Sequence, residues 1–272
     1  MNEKLFDVAG KVIVITGGGG ALGGSMAKYL ITQKAKVVVI SRSESSVQKI
    51  VGEVTSTGGE LLGLAVDVLQ EEKLQEASQT ILEKYGSVDV LINAAGGNLP
   101  GATVPPDKTV FDVSIGDLRK VLDLNLMGSV IPTLIFGKLM AEQGQGSIIN
   151  ISSMAATQSI SRVLGYSMAK SGIDIFTKWM AMELASKFGD GIRVNAIAPG
   201  FFIGKQNHKL LLNEDDSLTE RGKAIIGNTP MNRFGKAEEL NGIVLYLSSS
   251  ASQFVTGTVI PIDGGFSSFS GV

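Results

Sequence analysis

The stretch VIVITGGGGALG, residues 12–23, decides the fold. It begins with a short apolar run, Val12–Thr16, and continues through a glycine-rich turn into an amphipathic segment that starts at Ala21. A strand that leads into such a turn at a helix N-terminus exposes backbone N–H groups, which suit a diphosphate. Because the turn has this strand–turn–helix context, the sequence favours dinucleotide binding over a purely structural turn. We expect the diphosphate to contact Gly17, Gly19, Gly20, Ala21, Leu22 and Gly23.

Further apolar runs follow without the polar alternation of a half-exposed sheet, as is typical of parallel strands covered on both faces. The other predicted strands are Val37–Ser41, Leu61–Asp67, Val88–Asn93, Ser147–Ser152, Arg193–Ala198 and Val259–Asp263. Helical spacing predicts helices at Ala21–Gln33, Ser45–Thr57, Glu71–Tyr85, Ser114–Met140, Tyr166–Phe188 and Ala237–Ser248. Alternating strands and helices imply right-handed crossovers. We therefore predict an α/β fold, a Rossmann-like doubly wound parallel sheet of about seven strands flanked by helices.

Two connections are longer than the rest. The first, Ala94–Val113, is rich in Gly and Pro. The second, Phe201–Met231, contains the one histidine of the sequence and a predicted short helix near Thr219–Ile226. A connection of this length in a compact domain is usually a lid or a binding segment. We expect residues 1–272 to form a single domain with a helical substrate lid at about 201–231.

Composition excludes several classes of function. A net charge of −2 and a pI near 5.6 argue against a surface for nucleic acid or anionic lipid. The absence of cysteine excludes disulfides and thiolate chemistry, and one histidine cannot build a His-rich zinc site, so we expect no metal. The N-terminal residues lack the apolar core of a signal peptide, and no apolar run approaches the roughly 20 residues of a membrane span. We expect a cytoplasmic protein.

Tyr166 and Lys170 lie four positions apart in a predicted helix, and Ser153 lies upstream at the end of an apolar run. Residues i and i+4 share one helix face, so the ammonium can lie beside the phenol. A nearby cation would lower the phenol pKa from about 10 towards the range useful for acid–base chemistry. Taken alone the pair is also compatible with an ordinary exposed helix face.

The second predicted strand ends at Ser41 and Arg42, where a bound dinucleotide would place its adenosine ribose. An acidic residue there would bind the ribose 2′-OH and repel a 2′-phosphate, whereas Ser41 is neutral and Arg42 could pair with that phosphate. The sequence leans towards NADP without excluding NAD. A solvated surface arginine is the alternative interpretation of Arg42.

Several spaced elements together resemble the short-chain dehydrogenase/reductase family. Thr16–Gly23 resembles its TGxxxGxG turn with Ala21 replacing one glycine, and Asn93–Gly96 resembles its NNAG element with Ala94 replacing an asparagine. Asn125, Ser153, Tyr166 and Lys170 have the order and spacing of the family's catalytic tetrad, since 153 − 125 = 28 and 166 − 153 = 13. Residues 193–200, RVNAIAPG, and 262–265, IDGG, resemble two further motifs, so the likeness runs from about residue 8 to the C-terminus.

The resemblance implies an NAD(P)-dependent oxidoreductase that acts on CH–OH groups. Tyr166 would be the general acid/base, Lys170 would lower its pKa and hold the nicotinamide ribose, and Ser153 would bind the substrate oxygen. Asn125 would hold a water that links Lys170 to solvent. The cofactor would also contact Asp67, Val68, Asn93, Ala94, Ala95, Gly96, Tyr166, Lys170, Pro199, Gly200, Phe202 and Ile203. Where many relatives have a threonine after the Pro-Gly pair, this chain has Ile203-Gly204-Lys205, and that contact with the carboxamide is in doubt.

The predicted substrate contacts are Asn98, Ser153, Arg162, Gln206 and Asn207. Arg162 precedes Tyr166 by four residues and could pair with a carboxylate. Residues 206–208 offer hydrogen bonds to several hydroxyls, although a solvated surface role is equally open for them and for Arg162. Short motifs lie at residues 93–98 (NAAGGN), 162–163 (RV), 201–202 (FF), 206–207 (QN) and 263–272 (DGGFSSFSGV). Together they resemble a subgroup, the D-mannonate oxidoreductases or fructuronate reductases, which interconvert D-fructuronate and D-mannonate. Gluconate 5-dehydrogenase and 3-oxoacyl-thioester reductase activities are alternatives, and a catalytically silent NAD(P)-binding sensor or scaffold is an alternative of another class.

Apolar residues occupy more of the helix at Tyr166–Phe188 than one core face requires, which suggests burial on a second side. The family commonly forms tetramers through this helix, so the resemblance implies a homotetramer. A single deeply buried helix is the alternative.

Overall fold

A computed structural model describes residues 5–204 and 207–271. In this part of the chain seven parallel strands form one sheet, in the order β3-β2-β1-β4-β5-β6-β7. The strands are β1 Val12–Thr16, β2 Lys36–Ser41, β3 Leu61–Ala65, β4 Val90–Asn93, β5 Gly146–Ile151, β6 Ile192–Pro199 and β7 Val259–Ile262. The strand order reverses between β1 and β4, and in doubly wound sheets ligands bind beside the carboxyl ends of the strands at such a point. The predicted fold class is confirmed.

Helices cover both faces of the sheet. They are α1 Ala21–Thr32, α2 Glu44–Thr55, α3 Glu71–Tyr85, α4 Ile115–Leu122, α5 Gly128–Gln143, α6 Leu164–Phe188, α7 His208–Leu211, α8 Glu220–Gly227 and α9 Asn241–Ser248. One core cluster joins α1, α2 and α9 to the sheet, and a second joins α3, α5 and α6 to the opposite face. The central strands β1, β4 and β6 are fully buried, which explains their unbroken apolar character.

The predicted helix at Ser114–Met140 is two helices separated by a π-helical segment, Asp123–Met127. The side-chain amide of Asn125 donates to the Val121 carbonyl at 2.8 Å, so a side chain takes the place of a backbone donor in the ladder. A side chain inserted into the backbone ladder distorts a helix, and π-helical turns are frequent at functional sites. The sequence pattern could not predict it, because the apolar spacing is continuous through the segment.

The helical stretch Ile115–Gln143 is long and apolar enough to cross a membrane by length and composition. Here, however, Val121, Phe136 and Met140 are buried, and the latter two pack in the core cluster under α3 and α6. A core helix of an α/β domain accounts for this composition.

The other differences from the predicted elements are small. β3 ends at Ala65 instead of Asp67, and the predicted helix at Ala237–Ser248 starts with a 3-10 turn, Ala237–Leu240, before α9. In the lid the predicted helix at Thr219–Ile226 is α8, shifted by one residue, and the four-residue α7 was not predicted.

Candidate active site

The glycine-rich turn joins β1 to α1 at the carboxyl edge of the sheet. Gly17 has a φ of +65°, and a Cβ there would lie 2.6 Å from the Ala94 carbonyl oxygen, so only glycine fits. The N-cap of α1 is Gly20, which has no side chain to occupy the free N–H groups of the first turn. No acidic residue lies in that turn. The N-terminal amides of α1 therefore face an edge without a competing carboxylate. This cradle fits the diphosphate of a dinucleotide.

The end of β2 holds this turn in place. The Ser41 hydroxyl accepts a hydrogen bond from the Gly19 amide at 3.0 Å, while Arg42 is exposed beyond it. Asp67 is half-buried and accepts from the Leu69 amide at 3.0 Å, and the Val68 side chain is buried in the core. The adenosine side thus presents one exposed guanidinium and no acidic residue at the end of β2.

The end of β4 supplies backbone to the same edge. The Asn93 side chain points into the core, where its amide donates to Thr133 Oγ1 at 2.8 Å and to Asn150 Oδ1 at 2.9 Å. Any cofactor contact of Asn93 would therefore use its backbone. Ala94 and Ala95 follow against Thr16, since the Ala94 amide donates to the Thr16 carbonyl at 3.2 Å.

Asn125 and Lys170 meet beside Gly96. A Cβ on Gly96 would lie 2.7 Å from Asn125 Oδ1 and 3.7 Å from Lys170 Nζ. Both amide hydrogens of Asn125 are used, one on the Gly97 carbonyl at 2.7 Å and one on the Val121 carbonyl. The Asn125 side chain therefore fixes the loop after β4 to the π-helical segment. The water-holding role implied for Asn125 stays a prediction. Because both amide hydrogens are already used, another atom of Asn125 would have to bind the water.

Ser153, Tyr166 and Lys170 come together where β5 ends and α6 begins. Lys170 is buried, its Nζ donates to the Ile151 carbonyl at 2.7 Å, and the ammonium lies 5.5 Å from the centroid of the Tyr166 ring. Ser153 and Tyr166 line a cavity of about 140 Å³ whose other walls are Leu22, Ile151, Ser152, Pro199, Gly200, Phe201, Phe202 and Asn207. Two of the four predicted catalytic side chains, Ser153 and Tyr166, thus line the cavity, while Lys170 lies beside the Tyr166 ring and Asn125 lies near Lys170 at Gly96.

Burial dominates the electrostatics of this pair. Burial lowers the pKa of Lys170 to about 8, and the carboxylate of Asp174 opposes that shift. Burial also raises the pKa of Tyr166, and a hydrogen-bonding interaction with the Ser153 hydroxyl acts in the opposite direction. The net direction of the Tyr166 pKa is therefore opposite to the predicted one, because the desolvation of the phenolate outweighs the influences that lower the pKa.

The turn after β6 forms the opposite wall. Pro199 is buried, Gly200 is followed by Phe201 and Phe202, and Phe202 forms an isolated bridge with Gly235. The aromatic ring of Phe201 packs edge-on against Phe266 of the C-terminal segment, with ring centroids 5.2 Å apart. Ile203, which follows the Pro-Gly pair where many relatives have a threonine, is half-buried. This wall is apolar.

Of the predicted substrate contacts, Ser153 and Asn207 line the cavity, whereas Asn98 and Arg162 are not among its lining residues. Asn207 lines the cavity, but its side chain also ties the turn, donating to the Phe202 carbonyl at 2.8 Å and accepting from the Gly204 amide at 2.7 Å. Asn98 is exposed and its Oδ1 accepts from the Leu99 amide at 2.9 Å. Arg162 is half-buried in a left-handed conformation with a φ of +76°. Gln206 lies outside the described residues.

Sequence reasoning missed two groups near the site. Arg221, at the start of α8, donates from Nη1 to Ser161 Oγ at 2.9 Å and so joins the lid to the segment before Tyr166. Asp174, one turn beyond Lys170, accepts a hydrogen bond from Ser152. The four-residue spacing from Lys170 could have identified Asp174, whereas nothing local in the sequence relates Arg221 to Ser161.

Comparison with known proteins agrees with this geometry. Residues 19–267 match the family model described as enoyl-(acyl carrier protein) reductase. The uncharacterised oxidoreductase UxuB of Bacillus subtilis is 43% identical over 275 residues, which cover 98% of each chain.

Two solved structures extend the comparison. A proposed D-mannonate oxidoreductase from Haemophilus influenzae with bound NAD is 40% identical, covers 98% of both chains and has a TM-score of 0.91. A gluconate 5-dehydrogenase from Burkholderia cenocepacia in complex with NADP and tartrate is 26% identical, covers 97% of this chain and 98% of that one, and has a TM-score of 0.85.

Proposed function

Because this chain belongs to the short-chain dehydrogenase/reductase family and is an NAD(P)-dependent oxidoreductase acting on alcohol groups, we propose that it interconverts the hydroxyl and ketone of a sugar acid, D-mannonate and D-fructuronate. The predicted family, enzyme class and cofactor class are confirmed. The silent sensor or scaffold is thereby set aside.

A pair of guanidinium groups carries the substrate proposal. Arg162 precedes Tyr166 and Arg221 lies on the lid, and both are half-buried. Arg221 donates to the hydroxyl of Ser161, the residue directly before Arg162, which brings the lid arginine to the segment that carries Arg162. Burial lowers the pKa of Arg221, and the positive charge of Arg162 lowers it further. Within residues 5–204 and 207–271 neither forms an ion pair with a carboxylate. Two neighbouring cations that lack a protein anion suit the carboxylate of a substrate.

The backbone at Arg162 supports a positioning role for that side chain. A left-handed φ at a residue other than glycine costs about 1 kcal/mol or more and persists where the surroundings require it. The Arg162 carbonyl accepts from the Val104 amide at 3.1 Å, which ties the segment before Tyr166 to the loop after β4. The backbone of Arg162 is thus fixed both by its conformation and by this hydrogen bond.

The roles proposed for the catalytic residues follow from their positions. In the oxidation direction the substrate hydroxyl gives its proton to Tyr166 while the C–H hydrogen leaves as hydride and a C=O bond forms. When bound, the nicotinamide supplies the hydride acceptor, or the donor in reduction. Ser153 orients the substrate oxygen beside Tyr166, and the charge on Lys170 favours the phenolate form that accepts the proton.

NADP is the cofactor we propose this chain prefers. The end of β2 has no carboxylate to repel a 2′-phosphate, because Ser41 bonds the glycine-rich turn and Arg42 is exposed beside it. The similar structures include one with NAD and one with NADP, so they do not decide between the two.

The outer face of α6 supports a homotetramer. Four large apolar side chains, Met168, Ile175, Trp179 and Met182, are each more than half exposed, and they recur at helical spacing. Such a stripe on a long helix is typical of an interface between copies of a chain. Sedimentation of Trp179→Glu against the unchanged protein tests this, and an unchanged sedimentation coefficient would contradict it. The cytoplasmic location stays a prediction.

Gluconate oxidation at carbon 5 is the second candidate, since the structure of a gluconate 5-dehydrogenase shares the fold over nearly the whole chain. Absorbance at 340 nm with D-mannonate, D-gluconate and acetoacetyl-coenzyme A, each with both cofactors, separates the candidates. We expect D-mannonate to give the highest kcat/KM. A higher value for either of the others would overturn the proposal.

Two variants test the carboxylate contact. Arg162→Ala and Arg221→Ala should each raise the KM for D-mannonate about tenfold, as expected for loss of a charge-assisted bond, with less than a twofold change in the KM for cofactor. Arg119→Ala, an exposed arginine of α4, is the matched control. Equal, small changes in both KM values would remove the carboxylate role while leaving the oxidoreductase assignment intact.

A further inference from the structure

Asp174 lies one helical turn beyond Lys170, on the same side of α6 as Tyr166 and Lys170. It is half-buried, and its Oδ1 accepts a hydrogen bond from the hydroxyl of Ser152. Ser152 is itself 1% exposed and directly precedes Ser153. A buried hydroxyl bonded to a carboxylate is therefore located behind the candidate catalytic serine.

Three successive residues at the end of β5 each interact with one residue of α6. Tyr166 interacts with Ser153, Lys170 donates to the Ile151 carbonyl at 2.7 Å, and Asp174 accepts from Ser152. These three residues of α6 are four positions apart, so each lies about one helical turn further along the helix than the one before it. Since Ile151, Ser152 and Ser153 are joined by peptide bonds, a shift at Ser152 moves the neighbours that Tyr166 and Lys170 contact.

Asp174 is also the carboxylate that acts on Lys170. In the part of the chain that the structure describes, the other groups close to Lys170 Nζ are neutral: the Tyr166 ring on α6, the Ile151 carbonyl of β5, and Gly96, which also adjoins the Asn125 side chain. The negative charge of Asp174 raises the pKa of Lys170 against the larger lowering by burial. Asp174 is in turn influenced by burial, which raises its pKa, and by Ser152, Lys178 and Lys170, which lower it.

We propose that Asp174 is a positioning residue for the oxidoreductase reaction, which holds Ser153 opposite Tyr166 through Ser152 and supplies a negative charge one helical turn from Lys170. The proposal does not depend on which alcohol is the substrate. It predicts two separable effects, one transmitted through the hydroxyl of Ser152 and one through the charge of the carboxylate.

The charge effect has a readout that needs no substrate. A buried lysine with a depressed pKa makes the free energy of unfolding rise with pH above that pKa, because the unfolded chain then binds more protons. In the unchanged protein the contribution of Lys170 begins near pH 8. In Asp174→Asn it should begin about one pH unit lower, because removing a neighbouring opposite charge shifts a pKa by about that amount. Ser152→Ala should leave the onset unchanged. Urea denaturation from pH 6 to 10 measures the free energy of unfolding of each variant. The same substitutions made in Lys170→Met show which part of the pH dependence belongs to this lysine.

The positioning effect is measured by kinetics with the sugar acid that the unchanged protein oxidises fastest. Ser152→Ala and Asp174→Asn should each lower kcat about tenfold with little change in the KM for cofactor, since a small misplacement of reacting groups is costly. Asp174→Glu should restore part of kcat and the original pH onset. Glu183→Gln, a half-buried acidic residue of the same helix, is the matched control.

Each result decides the proposal. If Asp174→Asn loses stability but keeps both the pH onset and kcat, Asp174 only joins α6 to β5 and the proposal is overturned. If the pH onset moves while kcat in Ser152→Ala is unchanged, the positioning part is wrong. If the unchanged protein does not turn over D-mannonate, the proposed substrate is wrong. The pH at which the Lys170 contribution to stability begins still tests the role of Asp174, because that measurement needs no substrate.

Discussion

The two halves of the candidate site are built from different kinds of contact. The cofactor half, Gly17–Gly23 with the ends of β2 and β4, is held by backbone packing so close that a Cβ on Gly17 would meet the Ala94 carbonyl at 2.6 Å. The substrate half, the 153–166 segment with the described part of the lid, is held by side chains such as Arg221 on Ser161. Backbone packing admits few sequences, whereas side-chain contacts can be exchanged one at a time. The difference explains how one cofactor frame can serve many alcohol substrates in a family.

Tyr166 lies where the two halves meet, so its loss should produce the largest effect. Tyr166→Phe removes the proton carrier and keeps the ring that packs under Lys170. We expect kcat to fall by about 10³-fold, within the range of general acid–base catalysis, while the Kd for cofactor stays within twofold. Absorbance at 340 nm and quenching of protein fluorescence by the cofactor measure the two quantities. Near-normal turnover would remove Tyr166 from the chemistry.

Glycine substitutions compare the halves directly. Gly17→Ala forces a side chain into the left-handed region and against the Ala94 carbonyl, so the free energy of unfolding should fall by about 3 kcal/mol. In the lid, a Cβ on Gly227 meets nothing within 4 Å, and Gly227→Ala should change stability by less than about 1 kcal/mol. Urea denaturation measures both. Similar losses at the two positions would contradict the contrast between the halves.

Much of the cofactor half could be predicted from the sequence because its signals are local. The apolar run Val12–Thr16 is β1 to the residue, and the glycines that follow it form the predicted turn. The order and spacing of Ser153, Tyr166 and Lys170 likewise predicted side chains that line or adjoin one cavity.

The rest depended on contacts between distant residues or on burial. The π-helical segment arises from one side-chain bond of Asn125, and Arg221 reaches Ser161 across 60 positions of sequence. The direction of the Tyr166 pKa was predicted wrongly because spacing places Lys170 nearby but does not give the cost of burying a phenolate.

The burial of Lys170, next to Tyr166 where the two halves meet, makes the stability of the protein depend on pH. Lys170 is buried with a pKa lowered to about 8 from 10.5, so the folded protein loses this proton while the unfolded chain keeps it. The unfolded state then binds more protons, and the free energy of unfolding should gain up to about 1.4 kcal/mol per pH unit from this group. Above pH 10, the ordinary pKa of tyrosine, Tyr166 makes the free energy of unfolding fall as the pH rises. Burial raises the pKa of Tyr166 in the folded protein, so the folded state keeps a proton that the unfolded chain has lost. The useful window is therefore about pH 8 to 10.

Two methionine substitutions isolate this contribution. Lys170→Met should flatten the rise in stability between pH 8 and 10, while Lys209→Met, at an exposed lid position, should leave the slope as it is. Urea denaturation at half-unit intervals of pH gives both slopes. The same slope in both variants would show that Lys170 keeps an ordinary pKa.

The smallest expected effect falls on Arg42, the exposed basic side chain of the cofactor half. Arg42 lies in solvent at the end of β2, so its pairing with a 2′-phosphate would be screened and weaker than a buried contact. Arg42→Ala should raise the KM for NADPH about fivefold and leave that for NADH nearly unchanged, since only NADPH carries the phosphate. Lys187→Ala, at the opposite end of α6 from Tyr166, is the control for loss of a surface cation. Equal changes for both cofactors would mean that Arg42 does not recognise the phosphate. The cofactor half would then be specified by its backbone alone, and the preference for NADP would lose its support.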